Sequence, residues 1–410
     1  MKDKLQKYSR WLILAVSVIV IHLIIGISIR GCAKSSDTAE NTAAAKEKSQ
    51  SWFKKLFSKS DTPRESDKRV KEKEKTEQNV NPEQPEIKPP KPIVIYRKAC
   101  RDLPLFGKPF DFSSAKHGEL PNYYAPGSNG AKSAIVVDLS TRKVLWEKNC
   151  RMKTGTASMA KLMTLLLFME HLDANADITL DTIADVPKGV MNVPRSGVVY
   201  LAPGEKFPYR DIVKAAAVKS ANDAAEMLAL SIVKDSKDFP ILMNQKAAQL
   251  GMKSTRFINA HGLTEKIAGG KFDFSTSSAL DMVILGERLL EYPVMMEFFS
   301  TQEGRLRETK PLIYTNTNKL INPRYPGVDG MKTGYTKAAG FCLLFSAKRN
   351  GKRIMGCVTG FKTAIERDRF CRKLVDWAFE PEKKIPVKKS KPASAAVRKK
   401  SAAGKSQKRK

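Results

Sequence analysis

At 410 residues and 42% hydrophobic side chains, the chain can bury a sizeable core, and its apolar patterning is most continuous from about residue 100 to 380. The 73 Lys and Arg against 42 Asp and Glu give a formal charge of +31, a balance that ordinarily raises nucleic acid as a partner. Residues 381–410 alone hold 12 Lys and Arg against one Glu, a charge of +11, so much of the excess belongs to a solvated tail and no nucleic-acid partner is expected.

The chain opens on a basic cytoplasmic segment, residues 1–10, with Lys2, Lys4, Lys7 and Arg10. Residues 11–29, Trp11 to Ile29, carry no formal charge and are long enough to cross a hydrocarbon core of about 30 Å at about 1.5 Å per residue. The basic flank predicts an uncleaved signal-anchor with everything after Arg30 exported. A cleaved signal peptide is the rival, with Gly31 and Ala33 as small residues near a cleavage site. Residues 30–92 form a charged, Pro-rich linker in which only Trp52 to Phe57 looks amphipathic, and residues 381–410 form the basic disordered tail, suited to an anionic lipid or wall polymer.

Between them, residues 93–380 read as one catalytic domain. Strands are predicted at Ala134 to Asp138 and Val144 to Glu147, then a helix that opens at Ser158 and runs apolar nearly all round through Leu162 to Met169, the pattern of a buried central helix. Helices follow over Asp211 to Val233, Phe239 to Leu250 and Ser275 to Leu290. The chain returns to strands at Val328 to Gly334, Phe341 to Ala347 and Arg353 to Gly360, and closes with a helix over Ala364 to Phe379. Strands at both ends of the domain can join one antiparallel sheet, with helices packed on it and beside it. The six cysteines form no Cys-x-x-Cys and no metal-ligand cluster; Cys342 and Cys357, diagonal across the hairpin at Asn350-Gly351, read as core cysteines. The four histidines form no motif either, so neither metal nor cofactor is expected and a Ser-His-Asp triad has little support.

Three short segments carry chemistry: Ser158-Met159-Ala160-Lys161, Ser220-Ala221-Asn222 and Lys332-Thr333-Gly334. Ser-x-x-Lys also occurs at Ser51, Ser113, Ser140 and Ser231, and a second Lys-Thr-Gly at Lys153 to Gly155, but only Ser158 opens a buried helix ahead of the other two segments. Three positions apart on a helix, Ser158 and Lys161 share a face. A serine hydroxyl needs a base, and Lys161 serves if burial and the nearby cation Lys332 hold it neutral. The backbone N–H of Ser158 sits where an oxyanion would form. Ser220 can pass a proton to a leaving amine, and Asn222 can hold substrate backbone or Lys161; alone, the pair would read as helix caps. Lys332 and Thr333 suit a carboxylate, and Gly334 leaves room for a peptide along the strand; alone, the segment would read as a solvated edge strand.

Taken with Leu201-Ala202-Pro203-Gly204-Glu205, Phe257 to Leu263 and Gly327 to Met331, these segments resemble the D-alanyl-D-alanine carboxypeptidases, low-molecular-mass penicillin-binding proteins, over roughly residues 120 to 380. The resemblance implies the two-lobed α/β serine β-lactamase/D,D-peptidase fold, an antiparallel sheet flanked by helices plus a helical lobe. It further implies an acyl-enzyme on Ser158, Lys161 as base, Ser220 in proton transfer and substrate binding by Lys332 and Thr333. The second oxyanion donor would be the backbone N–H of Tyr335, and Arg367 matches the family arginine that takes the substrate's terminal carboxylate. The implied partners are peptidoglycan stem peptides, with β-lactams as covalent inhibitors.

The chain departs from the family pattern at Thr156, where Pro is common, at Ala160 (Thr), at Ala221 (Gly) and at Tyr335 (His). A D,D-endopeptidase on peptidoglycan crosslinks is the nearest alternative. A β-lactamase lacks support, since no Glu-x-x-Leu-Asn-like segment lies between Asn222 and Lys332, and an inactive wall-binding module sits poorly with every catalytic position being occupied.

Overall fold

The computed structural model describes residues 96–117, 120 and 124–380. The expected signal-anchor, linker and basic tail lie outside them; among the described residues no helix is long and apolar enough to cross a membrane.

The main sheet takes strands from both ends of the domain. In chain order they are β1 (Lys116–His117), β2 (Ser133–Asp138) and β3 (Val144–Lys148), then, after the short β4 (Thr154–Gly155) and β5 (Thr276–Ser277), which pair with each other outside this sheet, β6 (Val328–Thr336), β7 (Gly340–Arg349) and β8 (Lys352–Phe361). The six strands lie in the order β1-β3-β2-β8-β7-β6, antiparallel throughout except for β1 on β3. All six residues of β2 are buried, because alternate side chains enter two different cores. Ala134 and Val136 join Leu343, Phe345 and Ile354 on one face; Ile135 and Val137 join Leu344, Met355 and Cys357 on the other. Period-two alternation with both faces covered accounts for strands that read as unbroken apolar runs.

Among the described residues, seven α-helices follow the same economy: α1 (Lys161–Ala174), α2 (Tyr209–Lys214), α3 (Asn222–Leu230), α4 (Phe239–Gln249), α5 (Ala279–Leu289), α6 (Pro293–Ser300) and α7 (Ala364–Phe379). α7 covers the first face through Phe370, Cys371, Leu374 and Val375. The second face packs on the larger core, where α1 is buried nearly all round, as its sequence predicts. The helical stretch expected over Asp211 to Val233 is interrupted. α2 widens into a π-helical turn at Ala215–Lys219, Ser220 turns left-handed at φ 66°, and α3 starts afresh at Asn222. α6 and the ribbon of Glu303–Leu306 on Leu312–Thr315 have no counterpart in the sequence reading. Cys342, Cys357 and Cys371 are buried and free, as core cysteines.

Candidate active site

Ser158 lies in a 3-10 turn, Ala157–Ala160, that leads directly into α1, so it precedes the α-helix rather than opening it. The turn starts from a left-handed Ala157 (φ 46°) and is clamped between two glycines. A Cβ on Gly262, whose φ is +79°, would lie 2.0 Å from the Ala157 carbonyl oxygen. One on Gly334 would lie 2.6 Å from the Thr156 carbonyl oxygen and 3.3 Å from the Ala157 Cβ. The missing side chain of Gly334 therefore admits the nucleophile turn, rather than the peptide expected along the strand.

The three-residue spacing brings Lys161 Nζ to 3.0 Å from Ser158 Oγ. Lys161 is completely buried, and its other two contacts are acceptors: Asn222 Oδ1 at 2.6 Å and the His261 carbonyl oxygen at 2.6 Å. A neutral amine has two N–H bonds and one lone pair. With both N–H bonds taken by these oxygens, the lone pair is left for the Ser158 hydroxyl. Burial first, and the charge of Lys332 second, hold Lys161 well below the ordinary lysine value, against an opposing pull from Asp223. The histidine contributes its backbone only. Its ring, pushed down to about 3 by burial and by Lys161, accepts the Leu263 N–H at 3.2 Å. The same loop ties α1 down, as Thr164 Oγ1 donates to the Ala260 carbonyl at 2.6 Å and Asn259 Oδ1 accepts the Gly262 N–H at 2.6 Å.

Neither Ser220 nor Asn222 caps the start of α3, where Ala221 stands without a side-chain cap; Ser220 closes the π-helical turn before it, its backbone N–H donating to the Ala215 carbonyl. The break at Ser220 aims Asn222 at Lys161, and its amide donates to the Ser196 carbonyl at 2.6 Å while its own backbone N–H bonds Gly197 at 2.8 Å. Asp223, which the sequence reading passed over, fixes that partner loop. Its carboxylate accepts the N–H groups of Val199 and Leu201, each at 3.0 Å. An acidic residue in the first turn of α3 was the available signal.

Lys332 and Thr333 are buried on β6, so the solvated-edge alternative fails although β6 is the terminal strand of its sheet. Burial, and then the charge of Arg367, push Lys332 down to about 7. Thr333 Oγ1 donates to Thr317 Oγ1 at 2.7 Å. The ring of Tyr335 is 56% exposed and stacks on Phe341, its partner across the ladder, with centroids 4.0 Å apart. Arg367 is 4% exposed, not part of a solvated helix start. Thr363 caps α7 and exchanges hydrogen bonds with Glu366, while Arg367 turns inward to donate to the Cys342 carbonyl at 3.2 Å and to Asp368 Oδ1 at 2.7 and 2.9 Å. Cys342 is the partner of Gly334 across the β6–β7 ladder, so the guanidinium stands one strand from the Lys332 segment.

Ser158, Lys161 and Asn222 are thus joined by direct contacts, with Lys332 and then Arg367 coupled to them through charge. The rival serines stand apart in ordinary local structure: the backbone N–H of Ser140 donates to Asp138 in a turn, and Ser231 Oγ donates to the Leu228 carbonyl at the end of α3.

A family profile described as D-alanyl-D-alanine carboxypeptidase matches residues 122–363. The chain belongs to that family. It is a serine-type enzyme of the penicillin-binding-protein kind. It is similar to the D-alanyl-D-alanine carboxypeptidases DacF of Bacillus subtilis, 38% identical over 65% of this chain and 67% of the relative, and DacC of Escherichia coli, 34% identical over 61% of each. The matched region therefore spans about two thirds of the length of those relatives or less. Among solved structures it resembles penicillin-binding protein D2 of Listeria monocytogenes in its ampicillin-bound form, with 31% identity and a TM-score of 0.53 over 61% of this chain and 98% of that one. The serine β-lactamase-like fold expected from the sequence agrees with this likeness.

Proposed function

We propose that this enzyme removes the terminal D-alanine from peptidoglycan stem peptides through an acyl-enzyme on Ser158. The contact that carries the reading is the 3.0 Å approach of a wholly buried Lys161 amine to Ser158 Oγ. Neutral Lys161 takes the hydroxyl proton as Oγ attacks the carbonyl carbon of the penultimate D-alanine. The oxyanion rests on the backbone N–H groups of Ser158 and Tyr335, and the proton returns through Ser220 to the amine of the departing D-alanine. A water then cleaves the ester and restores Ser158. Lys332, Thr333 and Arg367 receive the free carboxylate of the terminal residue, a group present only at a chain end. A β-lactam mimics the scissile bond and acylates the same oxygen, in keeping with the ampicillin complex of the Listeria relative.

The basic residues before Trp11 and the polar linker after it support an extracytoplasmic catalytic domain held by a single N-terminal helix, with the +11 tail drawn to anionic lipid or wall polymer. The activity test is to incubate the full chain with a pentapeptide ending in D-alanyl-D-alanine and, separately, with a crosslinked peptide dimer. Release of D-alanine from the first is expected. Cleavage of the dimer without such release would overturn the carboxypeptidase reading in favour of an endopeptidase. For the topology, protease applied to spheroplasts should cut the linker and spare residues 1–10; the opposite pattern would overturn it.

A further inference from the structure

Away from Ser158, a cavity of about 480 Å³ opens between the Phe106–Phe112 segment and α5. Sites for small molecules commonly measure about 300–1,000 Å³. Its apolar wall includes Phe106, Phe112, Leu280 and Ile284. Its charged groups are unbalanced, with Lys108, Arg142, Arg151 and Arg288 facing one acid, Glu287.

Two of the cations are already spoken for. Arg142 and Glu287 form a buried ion pair that also fastens the covering segment, since Arg142 donates to the Lys108 carbonyl and Glu287 accepts the Gly107 N–H at 3.2 Å. Arg288 pairs with Glu291. Lys108 and Arg151 have no carboxylate partner among the described residues. Arg151 is held instead over the ring of Phe112, 4.7 Å from its centroid. The cavity also adjoins the segment that runs through β4 to the nucleophile: Leu280 N–H donates to the Cys150 carbonyl at 3.0 Å, and the Arg151 carbonyl accepts from Ser254 Oγ at 3.3 Å.

A planar guanidinium fixed on an aromatic face beside an apolar hollow matches a ligand with one anionic head and one apolar body. The body displaces water from Leu280 and Ile284, and the head meets the free fork of Arg151. A cationic ligand is repelled, as is the like-charged tail of this chain. We propose that this cavity binds a small anionic amphiphile, one carboxylate or phosphate head on a single short acyl or alkyl chain, at a site separate from Ser158.

Titration calorimetry on the full chain with decanoate, decyl phosphate, decanol and decyltrimethylammonium tests this. One saturable site per chain is expected for the two anions, and the tighter of them identifies the head group. Arg151→Glu should weaken that binding about tenfold or more, the loss of one charge-assisted contact. Ile284→Trp, which fills the hollow, should do the same. Arg151 is exposed, so its variant should keep its unfolding temperature and its penicillin labelling, which guards against misfolding. Acylating Ser158 with penicillin beforehand should leave decanoate binding unchanged, which separates this site from the catalytic reading. No saturable site, equal affinity for decanol, undiminished binding in both variants or loss of binding on acylation would each overturn the proposal.

Discussion

Gly262 and Ala157 meet so closely that a side chain on the glycine would begin 2.0 Å from the Ala157 carbonyl oxygen. The contact locks the back of the nucleophile turn to the loop whose preceding carbonyl, that of His261, holds Lys161. Gly262→Ala adds both this overlap and a strained positive φ, together costing about 2–4 kcal/mol. Thermal unfolding should show that loss, and penicillin labelling of Ser158 should fall with it. A variant that labels at the normal rate would mean that the turn is held by other contacts.

Labelled penicillin should acylate Ser158 and no other serine. Ser158→Ala should abolish labelling, and persistence at Ser113, Ser140 or Ser231 would sink the assignment. Lys161→Ala removes a proton acceptor worth roughly 10²–10⁴ in rate, so acylation should fall by that order while the fold survives. Stopped-flow acylation beside a melting curve separates the two effects.

The lowered lysines set two opposite pH limbs. Lys161 must be neutral to act as base, so acylation rises as pH climbs through its depressed value. Lys332 must be charged to hold a carboxylate, so the capture of peptide by the free enzyme declines above about 7. The profile of kcat/KM for a D-alanyl-D-alanine peptide should therefore be bell-shaped. Arg367 helps to depress Lys332, so Arg367→Gln should move the alkaline limb to higher pH. Stability follows the sign of the same shift. Between about 7 and the ordinary value of 10.5, the unfolded chain keeps a proton on Lys332 that the native chain has lost, so this group makes the fold more stable as pH rises across that window. Denaturant unfolding at several pH values reads this contribution, which should vanish in Lys332→Met.

Arg367→Ala should reduce kcat/KM on a peptide with a free terminal carboxylate by about 30- to 150-fold, or 2 to 3 kcal/mol, and much less on the amidated peptide. Because Arg367 also holds the Cys342 carbonyl and Asp368, the variant should in addition melt lower. Equal losses on both peptides would leave Arg367 a purely structural role.

The order of the three motifs and the choice of Ser158 among five Ser-x-x-Lys serines were legible in the sequence, because local context distinguishes a serine ahead of a buried helix from one in a turn. Five of the six strands were legible too, since runs such as Ala134 to Asp138 and Arg353 to Gly360 are apolar and of strand length; β1, two residues long and parallel to its neighbour, left no such pattern. What lay beyond the sequence depends on neighbours distant along the chain. The break at Ser220 was hidden because the run from Ala215 to Lys219 is rich in alanine and favours helix, while the groups that hold Asn222 just beyond it, the carbonyls of Gly197 and Ser196, lie distant along the chain. The uses of Gly262 and Gly334 were hidden because the atom each glycine lacks would strike residues Thr156 or Ala157, about a hundred or more positions away. Burial of Lys161, Lys332 and Arg367 was likewise undecidable from composition, which tells that a cation is present but not how much water surrounds it. Sequence therefore determined which groups are available for chemistry, and the tertiary structure decided their charge and aim, since desolvation and hydrogen bonding depend on contacts that exist only once the chain has closed around them.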